Sequence, residues 1–181
     1  MKLFHREKVL SVRIVPEEPD VKVRLACQKD KELVITGKDG VRRTMWEDKM
    51  LYPFELEGAI TALIETNRRS FNVVVPSAYV WNGADIPAIA EPFFGSKQEP
   101  SFMIPSMVHD YMLEDKFRIF KEDFEPHGYS MADYRRITSL VLRQLFKNYG
   151  TRTIKSNIGT FLVDLFQATC NKKSWYEEVQ E

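Results

Sequence analysis

The sequence predicts an α+β fold: an N-terminal antiparallel sheet, then a loop, then about three C-terminal helices packed on the sheet. Three observations lead there. Within residues 1–80, several stretches place apolar side chains at every second position, the period of a half-buried strand. Pro76, Pro87, Pro92, Pro100 and Pro105 then punctuate a crossing with little periodicity. Beyond Ser101 the apolar spacing becomes helical. Strands first and helices afterwards is the order of an α+β domain.

The strands come first. Val9 to Val15 and Val21 to Cys27 alternate, with a break over Pro16 to Asp20. Glu32 to Thr36 is a third strand, Lys38-Asp39-Gly40 a hairpin turn signal, and Val41 to Trp46 the return strand. Phe71 to Val75 is rich in β-branched residues and ends at Pro76. Glu57 to Thr66 suits a short helix by propensity. The Asn67 to Ser70 turn and the strand after it suit a hairpin, and strand is the favoured reading.

The helices follow. Ser101 is placed to cap a helix carrying Met107, Val108, Tyr111 and Met112. Ser130 with Asp133 three residues on is close to a capping box. Tyr134, Ile137, Val141, Leu145 and Tyr149 continue at helical spacing to Gly150. A last helix is predicted from Thr151 or Thr153 to Asn171, with Ile154, Ile158, Phe161, Leu162, Leu165 and Phe166 on one face. The expected organisation is one domain over 1–181: a mainly β region at 1–80, a motif-bearing loop at 81–100, helices at 101–171 and a polar tail at 172–181.

A length of 181 residues permits one domain with a real core, and 44% hydrophobic with 29% charged residues is a globular composition. Twenty-six basic residues balance twenty-six acidic ones, which argues against nucleic acid as the main partner. Arg135, Arg136, Arg143, Lys147 and Arg152 read as a solvated helix face. Cys27 and Cys170 lack metal-ligand spacing and read as free thiols in a reducing compartment. The charged N-terminus is not a secretory signal, and no stretch approaches the ~20 apolar residues of a membrane helix. Synthesis in the cytoplasm is expected.

Some polar residues are not explained by their apolar surroundings. They are Asn82 and Asp85 in Trp81-Asn82-Gly83-Ala84-Asp85-Ile86-Pro87, the pair His109-Asp110, and Asp133. Charge inside a hydrophobic stretch is costly unless paired or bound. One histidine and several acids from separate elements fit a divalent metal site, or a His–Asp acid/base pair with a positioned water. Each residue also has a plain reading. His109 suits a core-edge histidine, Asp133 a helix cap, and Asn82 and Asp85 a turn around Gly83. Successive helical residues point about 100° apart, so His109 and Asp110 are not expected to share one contact. No serine elbow, phosphate-binding glycine loop or His-Glu-x-x-His is present.

The order of these motifs resembles the domain-of-unknown-function 1353 family of tailed bacteriophages and prophages. That pattern runs Val-Pro, an aromatic, Thr-Asp-Gly-Ala-Ser-Ile-Pro, Gly, His-Asp-x-Leu-Tyr, then Ala-Asp before an amphipathic helix. The matching pieces are Val75-Pro76, Tyr79, Trp81 to Pro87, Gly95, His109 to Leu113 and Ala132-Asp133, within residues 46 to 150. The family Thr-Asp is replaced by Trp81-Asn82 and its Ser by Asp85. The resemblance implies a bacteriophage or prophage origin and a late-region gene, hence a virion-associated or lysis-related role.

The leading expectation is therefore a virion- or tail-associated protein. Its partners would be other phage structural proteins or further copies of itself, with Phe93, Phe94, Trp175 and Tyr176 as contact residues. The alternative is a small hydrolase of a cell-envelope component. His109, Asp133 and Asp85 would then be catalytic, and His109, Asp110, Asp133 and Asn82 would bind a divalent metal. A host-directed inhibitor is a third class, without specific support in the residues.

Overall fold

A computed structural model describes residues 7–23, 28–36, 40–51, 54–83 and 100–150. Strands occupy the first part: β1 (Val9–Val15), β2 (Val21–Val23), β3 (Gln28–Thr36), β4 (Arg42–Leu51), β5 (Phe54–Leu56), β6 (Ile60–Thr66), β7 (Ser70–Val75) and β8 (Val80–Trp81). Helices follow: α1 (Pro100–Glu114), the single turn α2 (Lys116–Ile119), and α3 (Met131–Asn148). A π-helical turn (Phe120–Phe124) and a 3-10 turn (Glu125–His127) lie between α2 and α3. The class is α+β, as predicted. The helix expected over 151–171 lies outside the described residues, as do Cys27, Cys170 and the tail aromatics.

Among the described residues the strands form three antiparallel groups, ordered β1-β6-β7, β2-β5-β8 and β3-β4. In the first group the two-residue period sorts each strand into faces. Val12, Ile64 and Phe71 make one inner row and Ile14, Ala62 and Val73 the next, all buried. The ambiguous 57–66 stretch is thus a strand from Ile60, because Ile60, Ala62 and Ile64 share the buried face of a sheet. Alternation outweighed helix propensity there. The β3-β4 pairing runs from Gln28↔Leu51 to Thr36↔Arg42, which is the hairpin that Asp39-Gly40 signals.

β5 and β8 are too short to show a period, and the sequence did not reveal them. Pairing fixes them: Phe54 sits opposite both Val23 and Trp81. The pairing continues past β8, where the Leu56 amide donates to Tyr79 O (2.9 Å) and the Ala78 amide to Leu56 O (2.7 Å).

The helices cover the inner face of the β1-β6-β7 sheet. Phe124, on the π-helical turn, stacks on Phe71 of β7 at 4.1 Å and meets Tyr134 of α3 edge-on at 4.9 Å. α1 packs on α3, and Phe102 meets Phe146 edge-on between them. The buried Tyr134 hydroxyl donates to the Met112 carbonyl (2.6 Å), one of the last four carbonyls of α1, which have no partner within the helix. Among the described residues no helix is long and apolar enough to cross a membrane.

Candidate functional site

The segment carrying Asn82 and the helix carrying His109 meet at Tyr79. Ala78 adopts a left-handed backbone (φ 61°) and Gly83 does the same after β8 (φ 89°). Only the glycine does so without steric cost. Between these two bends lies an aromatic run. Trp81 packs on Phe54 (5.4 Å between centroids) and on Tyr79 (6.3 Å), and Tyr79 meets Tyr111 of α1 edge-on at 5.4 Å. Burial, followed by the nearby carboxylates of Glu114 and Asp110, pushes the Tyr79 phenol well above its ordinary pKa. The Trp81 indole nitrogen is buried, without a hydrogen-bond partner among the described residues. Asn82 is half-buried at the end of this run, and Asp85 lies outside the described residues.

His109 is buried on α1 while Asp110 beside it is half-buried. Their side chains do approach: His109 Nδ1 stands 3.6 Å from Asp110 Oδ1. That is longer than a hydrogen bond and short enough for ion pairing when the imidazole is protonated. The 100° step between neighbours therefore did not keep these two atoms apart.

More than two turns further on, Arg118 gathers three oxygens. Its Nε bonds Asp115 Oδ2, one terminal nitrogen reaches Glu122 Oε2 (2.8 Å), and the other donates to the Tyr111 hydroxyl (3.1 Å). Burial works against this charge, but the Asp115 and Glu122 hydrogen bonds outweigh it and raise the guanidinium pKa. Burial likewise raises the Tyr111 phenol, against the opposing pull of Arg118. Asp115, Arg118 and Glu122 are not among the residues that stood out in the sequence. The signal was available, since Asp115, Arg118 and Glu122 stand at i, i+3 and i+7, with adjacent pairs spaced as helix neighbours.

Asp133 is engaged elsewhere. Its Oδ2 accepts from the Ser130 amide (2.9 Å) and the Ser130 hydroxyl (2.7 Å), while Ser130 Oγ accepts from the Asp133 amide (3.2 Å). This is a complete capping box at the start of α3. Its surroundings are a second polar group. Arg68, in the β6–β7 turn, bonds Glu7 Oε1 (3.0 Å) and the His127 carbonyl (3.3 Å), and lies 4.2 Å over the Tyr129 ring. The hydrogen bond that Arg68 donates to Glu7 raises its pKa most, and the Asp133 charge adds to it. Arg68 precedes β7 and Tyr79 follows it, and six strand residues span roughly 20 Å. The two polar groups therefore attach to opposite ends of β7.

His109 and Asp110 offer two adjacent donors, while Asp133 Oδ2 is already held by two donors of Ser130. Among the described residues no three His, Cys, Asp or Glu side chains stand close enough to share an ion. On α3, Arg136 and Arg143 are half-buried rather than freely solvated, each with its Nε out of water. Comparison of the chain with protein-family models, curated proteins and solved structures found no match.

Proposed function

We propose that the chain is a bacteriophage-encoded, virion- or tail-associated protein whose polar motif residues tie its elements together. One observation carries the structural part: the Asp133 carboxylate closes a capping box, which gives an acid at that position a structural role. The edge-on contact of Tyr111 with buried Tyr79 supports the same reading, since it joins α1 to the approach of β8. The phage and virion part is supported by the motif order from Val75 to Asp133. Partners would be other phage structural proteins. Quantitative mass spectrometry of purified particles tests this. The protein is expected at a fixed copy number per particle, and its absence from washed virions would overturn the proposal.

A second reading is favoured by the 3.6 Å approach of His109 to Asp110. It is a metal-dependent or His–Asp hydrolase acting on a cell-envelope component, with Asp85 and Asn82 brought in from the loop after β8. Elemental analysis of the purified chain and of His109→Ala separates the two. Stoichiometric metal that is lost in the variant supports the hydrolase. Equal, substoichiometric metal in both proteins supports the structural reading.

A further inference from the structure

The two edges of the β1-β6-β7 sheet are finished differently. The β1 edge carries three features that discourage pairing. Its register shifts at Leu10, it presents the charged Arg13, and Asn148 Nδ2 of α3 donates to the Val12 carbonyl (2.6 Å). The β7 edge has none of these. Ser70-Phe71-Asn72-Val73-Val74-Val75 contains no charge, no proline and no bulge, and it pairs with β6 alone among the described residues. Its outward residues Ser70, Asn72 and Val74 are exposed, Val74 at 52%. An uncharged edge without proline or bulge is a template for another strand.

We propose that β7 is a self-association edge, pairing antiparallel with β7 of a second copy of this chain across a twofold axis. The choice of a second copy follows from charge and from register. A strand that carries no charge meets its own copy without repulsion. A twofold through Asn72 sets Ser70 opposite Val74 of the second copy, and Asn72 opposite Asn72. On the outer face the rows behind them are Ser11–Glu65–Ser70, Arg13–Leu63–Asn72 and Val15–Thr61–Val74. Across the axis the Glu65 row continues into the Thr61 row, so no like charges become cross-strand neighbours. The pairing is also bounded. Pro76 has no amide to donate, and Arg68 at the other end is held by Glu7 and Tyr129. Two three-stranded sheets would join into one of six.

A six-residue edge falls short of the ~1,200–2,000 Å² of a stable interface, so the dimer belongs to the weak, concentration-dependent class. Self-association at β7 requires nothing of the His109 region.

Sedimentation velocity over roughly 1–500 µM, with amide hydrogen exchange at both ends of that range, tests the pairing. A reversible dimer is expected, with exchange of the 70–75 amides slowed only at high concentration. Asn72→Lys, which brings two ammonium groups face to face, is expected to weaken dimerisation by about tenfold or more. Leu10→Lys on the opposite edge should leave it unchanged. A monomer at every concentration would overturn the proposal. So would a dimer whose β7 amides exchange as fast as in the monomer, a readout that does not depend on any variant folding.

Discussion

The Tyr134 hydroxyl shows how one atom joins two helices. It lies at zero exposure and satisfies Met112 O near the C-terminal end of α1. Tyr134→Phe keeps the ring but leaves that carbonyl buried and unpaired. A loss of about 1–3 kcal/mol is expected, read as a lower urea midpoint with an unchanged slope. The same phenol predicts an alkaline limit to stability. Burial raises the pKa of Tyr134, and burial with the Glu114 and Asp110 carboxylates raises that of Tyr79. Below the ordinary phenol value of about 10, both rings are neutral in the folded and unfolded states, and their full contribution is present. As pH rises beyond it, the unfolded chain releases its protons first, so the folded state loses stability. Unfolding midpoints measured between roughly pH 8 and 11 should fall with rising pH, and fall less steeply in Tyr134→Phe. An unchanged slope in that variant would count against the assignment.

At the scale of the element, the start of α3 and the edge of β1 are held by side chains rather than by backbone ladders. Ser130→Ala removes the hydroxyl that caps the Asp133 amide. A cost of about 1 kcal/mol is expected, seen as a lower thermal midpoint, with metal content and oligomeric state unaffected. A change in metal content would instead place Asp133 in a ligand set. Asn148→Ala frees the Val12 carbonyl on the β1 edge. About 1 kcal/mol of stability should be lost, together with faster amide exchange along β1. The capping box was legible because Ser and an acid three residues on satisfy the same pair of amides in most contexts. Asn148 was not legible, since its partner Val12 lies 136 residues away in the sequence.

For the molecule as a whole, Phe124 is the point where sheet and helices meet. It contacts Phe71 on β7, Tyr129 and Tyr134, and it is fully buried. Phe124→Ala is expected to cost about 3–5 kcal/mol, the largest effect of any single change named. Near-ultraviolet circular dichroism should weaken with it, because three neighbouring aromatic rings lose their fixed packing. A fully retained near-ultraviolet signal and an unchanged midpoint would show that the layers are held elsewhere.

The sequence by itself determined the α+β class, β1 and β7 as strands, the extent of α3 and its cap. Period and capping are local, so residues within a few positions decide them. It also marked His109, Asp110 and Asp133 as unusual. Only the tertiary structure decided what surrounds them. It brought Tyr79 beside Asp110 and Glu114 from a distant stretch of chain, and set the Asp133 cap near Arg68 at the other end of β7. A period of two or of 3.6 residues says which face is buried. It carries no information about which distant element will cover that face, and the company of a charged residue depends on that.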